Sequence, residues 1–159
     1  MRRGMLILLL AALLLVGCGN TPADQPEMES LALDFRGTSL TVGMAESVML
    51  NALGSDYTCS EAESCAGEGV DRMYTYPSVR VYVFAPREGL ATVTSVSYTD
   101  DGADTDGVCI GCDVMLVEQV FGTPDERREG VLIYRRDGAV LTVTEQDGCV
   151  NAVLLTKDE

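Results

Sequence analysis

Two segments of this chain repeat each other at a constant spacing of 68 residues. Residues 42–54 (VGMAESVMLNALG) correspond to residues 110–122 (IGCDVMLVEQVFG), with Gly43 matching Gly111 and Gly54 matching Gly122. Each copy predicts a glycine turn, then an amphipathic helix, then a terminal glycine that suits a left-handed helix stop. Apolar residues recur four positions apart within each helix, so one face of each helix should pack on a sheet.

Segments rich in valine and threonine follow each predicted helix. They are residues 72–76, 79–85 and 91–98 in the first half, and residues 131–135, 139–145 and 150–156 in the second. Alternation along residues 79–85 predicts one buried and one partly exposed face. The expected fold class is α+β: two tandem helix-plus-three-strand repeats, about 38–99 and 107–156, forming an antiparallel sheet with the helices packed on one face.

The duplicated region as a whole resembles the tandem helix-plus-sheet repeats of β-lactamase-inhibitor-like proteins and of small outer-membrane-assembly lipoproteins. This likeness rests on residues 120–125 (VFGTPD), followed by Tyr134 and a turn at Gly138, and it spans roughly residues 38–156. Those families commonly have a helical pair per repeat where this chain has a single helix, so their binding residues are not transferred. The chain is also similar to uncharacterised lipoproteins of Gram-positive bacteria, which implies no activity, through Cys59, residues 64–66, Gly69, residues 74–76 and residues 107–111.

The N-terminus has the pattern of an export signal. Arg2 and Arg3 precede an apolar span from Met5 to Val16, and Leu15-Val16-Gly17-Cys18 resembles the lipobox of bacterial lipoproteins. The resemblance implies cleavage after residue 17, diacylglycerol and often a further acyl chain on Cys18, and a membrane anchor on the extracytoplasmic face. The predicted organisation is a signal peptide over residues 1–17, a lipidated cysteine and flexible tether over 18–37, and the duplicated domain over 38–159.

Charge and residue usage limit the chemistry. The formal net charge is −14, and it becomes −16 without residues 1–17, because that segment contains two arginines and no acid. So acidic a protein repels phosphate backbones, which makes nucleic acid an improbable partner. The chain has no histidine, and this removes the commonest general base and the commonest metal ligand. We therefore expect no enzyme, no catalytic residue, no cofactor and no metal site.

Five cysteines remain if Cys18 is lipidated. Cys59 and Cys65 bracket a small polar loop, which predicts a disulfide between them in an oxidising compartment. Cys109 and Cys112 form a C-x-x-C motif beside a predicted helix start, which allows a thiol-disulfide protein as the alternative function. The motif is absent from the first repeat, where Thr41 and Met44 stand instead. Pairing of Cys149 with Cys109 or Cys112 stays open.

Two further groups of residues are relevant to binding. The connection between the halves contains Asp100, Asp101, Asp104 and Asp106, which favours a solvated acidic linker over a calcium loop. Tyrosines and arginines on a sheet are good anchors for a protein partner, and the candidate binding face consists of Arg72, Tyr74, Tyr76, Arg80 and Tyr82. The leading hypothesis is a lipid-anchored interaction protein that binds another protein or a cell-wall component; its oligomeric state is open.

Overall fold

The structure is a computed structural model, and it describes residues 30–158. The predicted signal peptide, Cys18 and most of the predicted tether lie outside these residues. The described chain forms ten strands and two short helices: β1 (Leu33–Phe35), β2 (Thr38–Leu40), α1 (Glu46–Leu53), β3 (Thr58–Glu63), β4 (Gly69–Tyr76), β5 (Val79–Pro86), β6 (Thr92–Tyr98), α2 (Met115–Phe121), β7 (Glu126–Arg128), β8 (Val131–Arg136), β9 (Ala139–Gln146) and β10 (Cys149–Lys157). The mixture of antiparallel sheet and helices agrees with the expected α+β class.

Eight of the strands form one antiparallel sheet in the order β3-β4-β5-β6-β10-β9-β8-β7, and β1 and β2 form a separate hairpin. Each helix is therefore followed by four strands in meander order, where three had been predicted. The additional strands, β3 and β7, are the outermost of the sheet. The two meanders meet where β6 pairs with β10 over only three residue pairs, Ser95–Thr156, Val96–Leu155 and Ser97–Leu154.

Both helices begin from a turn that is hydrogen-bonded to a central strand. Gly43 donates its N–H to the oxygen of Val93 in β6 at 2.7 Å, and Gly111 donates to the oxygen of Val150 in β10 at the same distance. Each helix then stops at a glycine with positive φ, 75° at Gly54 and 77° at Gly122. The left-handed conformation is costly for other residues, so these glycines end the helices where the sequence predicts.

The core lies between the sheet and a layer made of α1, α2 and the β1-β2 hairpin. Met49 and Leu53 of α1, and Val117 and Phe121 of α2, are buried against the sheet, as the four-residue spacing predicts. Neither helix, nor any other among residues 30–158, is long and apolar enough to span a membrane.

The N-terminal hairpin shows that the folded domain begins before residue 38. Leu31, Leu33 and Phe35 are all buried, and the ring of Phe35 packs edge-on against Tyr76 with centroids 6.0 Å apart. The boundary predicted at residue 38 is therefore seven residues too late. The alternation that marks this segment has only three apolar positions, Leu31, Leu33 and Phe35, and four residues separate Leu31 from Pro26.

Candidate binding surface

The five residues of the predicted binding face do not share one side of the sheet. Tyr74 and Tyr76 of β4 point toward the helices and are 5% and 2% exposed, so they are core residues. Tyr82, which is 36% exposed, points to the opposite side. The reason is the register: Tyr74 lies opposite Val81, so the even-numbered residues of β4 and the odd-numbered residues of β5 face the same way. The prediction was wrong for Tyr74 and Tyr76.

Arg72 lies on the helix side as well, where it joins α1 to the edge of the sheet. Its guanidinium donates to Glu46 of α1 at 2.9 and 3.1 Å and to Glu61 of β3 at 2.7 Å. The hydroxyl of Tyr74 donates to the same Glu46 carboxylate at 2.6 Å. The hydrogen bonds to Glu61 and Glu46 raise the pKa of Arg72, and burial followed by the bond to Glu46 raises the pKa of Tyr74. We interpret this cluster as a structural tie, because its polar groups satisfy one another.

The other side of the eight-stranded sheet is the candidate surface, and we call it the open face. No element of residues 30–158 packs on it, since both helices and the hairpin belong to the core on the opposite side. The pairing is continuous between the two register shifts, at Tyr82–Val83 and at Val150–Ala152, so two rows of side chains cross the sheet. One row is Thr58, Thr75, Arg80, Ser97, Leu154, Thr142, Ile133 and Glu126; the other is Ser60, Met73, Tyr82, Ser95, Thr156, Val140 and Arg135.

These rows combine apolar side chains with hydroxyls. Tyr82 and Leu154 are the most exposed of the apolar members, at 36% and 37%. Phe84 continues the apolar strip along β5 toward Gly67 in the loop that borders the face. Such a mixture of aromatic rings, aliphatic groups and hydroxyls is typical of protein-binding surfaces, which are depleted in charge at their centre.

The open face is nearly uncharged at its centre. Among the described residues, Arg80 is the only charged side chain that β5, β6, β9 and β10 place on this side. Its Nε is buried and has no hydrogen-bond partner in the described chain. In a molecule with a net charge of −14, a central cation surrounded by hydroxyls and apolar groups favours a ligand that brings a carboxylate.

The cysteines are all free in the described part of the chain. Cys59 lies near the start of strand β3 and Cys65 lies in the loop beyond its end, and the extended chain from Cys59 to Glu63 alone spans about 13 Å. The structure therefore does not form the predicted Cys59–Cys65 disulfide. Cys109 and Cys112, in contrast, occupy the same tight turn and are both half-buried.

The acidic connection between the halves uses its carboxylates locally. Asp100 accepts the N–H of Gly102 at 2.8 Å, and Asp104 accepts the N–H of Gly107 at 3.1 Å. Hydrogen bonds from Ser78 and Gly102 lower the pKa of Asp100. Across residues 30–158 no three His, Cys, Asp or Glu side chains are grouped so that they could hold a metal ion.

Two shallow clefts lie on the helix side, near the β1-β2 hairpin. One, of about 380 Å³, is lined by Asp34, Arg36, Ser78 and Asp104 among others, and a second, of about 430 Å³, lies between the residues near Ser30 and the end of α2. Each cleft has two acidic residues and one arginine in its lining, together with hydroxyl, apolar and backbone groups.

Comparison with known proteins identifies no relative. No protein-family model matches the chain, and neither a curated protein nor a solved structure matches it.

The sequence predicted part of this surface. Arg80 and Tyr82 of the predicted binding face lie on the open face, and the prediction did not include Phe84, Leu154 or the hydroxyl rows. Their signal was the alternation along β5 and β10, which assigns each strand residue to one of two faces without saying how neighbouring strands align.

Proposed function

We propose that this chain is a non-enzymatic, lipid-anchored protein of the extracytoplasmic membrane face, and that it binds a protein partner through the open face of its sheet. The observation that carries the binding proposal is an eight-stranded sheet with one side covered by helices and the other uncovered. The uncovered side mixes apolar and hydroxyl side chains, and among the described residues of its central strands only Arg80 is charged there. Anchoring is supported by the sequence alone, through Arg2, Arg3, the apolar span and Cys18.

The size of the open face supports a protein partner. Eight strands about 4.8 Å apart and about seven residues long make a surface of roughly 700 Å². A standard protein interface buries about 800 Å² on each partner, so the face has about the area that one such contact needs. The partner we propose presents an apolar patch with a carboxylate that meets Arg80.

We also propose that the two halves arose by duplication. The matched turn bonds of Gly43 and Gly111 support it, and so do equal backbone bonds at the helix starts, where Glu46 donates to Ala91 at 2.9 Å and Val114 donates to Gly148 at 3.0 Å. The strand order supports it further. Counted outward from the central pair Ser97–Leu154, strands β6, β5, β4 and β3 of one meander correspond to β10, β9, β8 and β7 of the other. Duplication explains how two small modules came to build one broad face.

The proposed anchor and the proposed surface are tested separately. Anchoring predicts that the full chain fractionates with membranes, that mass spectrometry finds acyl chains on Cys18, and that Cys18→Ala releases the protein. A bare Cys18 in protein purified from its native envelope would refute the anchor and leave the surface untouched.

Binding is tested by capture from detergent-solubilised envelopes with three sets of variants. Tyr82→Ala with Leu154→Ala removes the apolar centre of the open face, and Arg80→Glu reverses its charge. Val48→Ala with Met115→Ala is the matched control, because these side chains are exposed and apolar but lie on the helices. We expect a partner that the control retains and that both open-face variants lose. Equal recovery by all variants would refute the surface.

Thiol-disulfide exchange through Cys109 and Cys112 is the second candidate function, and the structure gives it less support. Burial, together with the interaction of the Cys109 side chain with the neighbouring Cys112 thiol, raises the pKa of Cys109. A catalytic thiol needs a lowered pKa, since the thiolate is the nucleophile. The insulin-reduction rate of the purified protein measures this activity, and we expect none above a Cys109→Ser control.

A further inference from the structure

Cys109 and Cys112 stand at the two ends of a tight turn. The N–H of Cys112 donates to the oxygen of Cys109 at 3.4 Å, and Gly111, at the third position, has a φ of 87°. A left-handed glycine at this position is typical of a type II turn, whose first and last Cα atoms are less than about 7 Å apart. Disulfides bridge Cα atoms about 4.4–6.8 Å apart, so the backbone already has the required spacing.

The side chain of Cys112 also lies against Cys109. The thiol of Cys112 donates to the oxygen of Cys109 at 2.8 Å and accepts the N–H of Cys109 at 2.9 Å, so its sulfur lies directly over the backbone of Cys109. Both cysteines are half-buried in the same place. Burial is the largest cause that raises the pKa of Cys109, and the neighbouring Cys112 thiol is the next. Two adjacent thiols produce such a rise in pKa.

Cys149 lies close by but on the wrong side. It is directly opposite Asp113, and the flanking hydrogen bonds are Val150 to Cys112 at 2.8 Å and Val114 to Gly148 at 3.0 Å. In this arrangement the side chains of Cys149 and Asp113 share a face, and that of Cys112 points to the other. Cys112 accordingly packs on the core, whereas Cys149 is exposed.

We propose that Cys109 and Cys112 form an intramolecular disulfide that locks the turn leading into α2. Its formation in the cell rests on the extracytoplasmic location proposed above, whereas its chemistry does not. The oxidant is a disulfide, either a small molecule such as oxidised glutathione or a protein. One cysteine thiolate attacks the oxidant and releases one thiol, and the second cysteine then attacks the mixed disulfide and releases the other. Two protein thiols are oxidised, the oxidant is reduced, and the two protons end on the released thiols.

The cross-link acts at the start of the second helix. Helix α2 has seven residues, and the carboxylate of Asp113 accepts the N–H of Met115 in its first turn at 2.8 Å. The turn before it is bonded to β10 and to the residue preceding β10 through backbone hydrogen bonds of Gly111, Cys112 and Val114. The disulfide would hold this turn closed and so support the start of α2 and its contact with the sheet.

Trypsin separates the cysteines in a way that makes the test direct. Residues 37–72 contain Cys59 and Cys65, residues 88–127 contain Cys109 and Cys112, and residues 137–157 contain Cys149. The purified full chain is reduced, incubated in a glutathione redox buffer, alkylated, digested and weighed. We expect peptide 88–127 to be lighter by two hydrogens and unalkylated, and peptides 37–72 and 137–157 to be alkylated. Full alkylation of peptide 88–127, or its linkage to peptide 137–157, overturns the proposal.

Two further measurements separate the cross-link from a mere loss of folding. Reduction should lower the melting temperature by about 5 °C, as the closure of a four-residue loop predicts. The variant Cys109→Ser with Cys112→Ser should melt at the temperature of the reduced protein and be insensitive to reductant. Adding Thr41→Cys and Met44→Cys to that variant places the pair in the matching turn of the first half, and it should oxidise at a similar potential. Cys18 lies in a different tryptic peptide, so failure of the anchor is read independently.

Discussion

Two buried tyrosines differ only in whether the hydroxyl has a partner, and this difference should appear in stability. Tyr74 donates to the carboxylate of Glu46 at 2.6 Å. Tyr134 is fully buried, and its hydroxyl has no hydrogen-bond partner within the described residues. Replacing each tyrosine by phenylalanine keeps the ring and removes the hydroxyl alone.

The expected changes in the free energy of unfolding have opposite signs. A hydrogen bond to a charged group contributes about 1.5–3 kcal/mol, and since Glu46 keeps its bonds to Arg72, we expect Tyr74→Phe to cost about 1.5–2 kcal/mol. An unsatisfied buried hydroxyl carries a desolvation penalty of about 1 kcal/mol or more, so Tyr134→Phe should be neutral or stabilise by about 1 kcal/mol.

Urea unfolding followed by circular dichroism measures both variants. The slope of the free energy with urea should stay unchanged, so that the shift in midpoint reports stability alone. Equal destabilisation by the two substitutions would refute the reasoning, since it would mean that ring packing and not the hydroxyl partner decides the cost. A Glu46→Gln variant should cost at least as much as Tyr74→Phe, because it also weakens the pair with Arg72.

Three other predictions follow from packing and burial. Burial raises the pKa of Tyr76 and of Tyr134 to about 12, whereas an unfolded tyrosine titrates near 10. The unfolded chain therefore loses these protons first, and the stability that the two tyrosines contribute is constant below pH 10. Between pH 10 and 12 it should fall by up to about 1.4 kcal/mol per pH unit for each tyrosine, a slope that Tyr76→Phe reduces. Gly69→Ala would place a Cβ inside contact distance of the Ala85 oxygen and 2.8 Å from the Pro86 Cα, so its melting temperature should fall by several degrees, while Gly67→Ala, with a nearest atom at an ordinary 3.5 Å, should melt as the wild type does. Leu33→Ala should cost about 2–5 kcal/mol in urea unfolding, because Leu33 is fully buried; a cost near zero would show that the β1-β2 hairpin does not belong to the core.

The sequence was most informative where a local pattern had a single physical meaning. The glycines at 54 and 122 stop their helices. Of the two apolar pairs with four-residue spacing in α1, Met49 and Leu53 are buried as predicted, whereas Val48 and Ala52 are exposed. The valines of β5 are buried as their alternation predicts.

It was least informative where the answer depends on a distant partner. Strand β3 is exposed along its whole length and lacks an apolar alternation, so pairing with β4 alone makes it a strand. The same register buries Tyr74 under α1, although its neighbours in sequence look like those of an exposed anchor. The sequence of residues 58–76 taken alone does not show how strand β4 aligns with β5.

The short junction between β6 and β10 has a mechanical consequence. The sheet is held there by three residue pairs, against eight between β4 and β5. Bending the sheet along the β6–β10 junction strains fewer backbone hydrogen bonds than bending it at the other central strand pairs, so the sheet should bend most easily there. A small rotation of the two meanders about this junction would change the curvature of the open face.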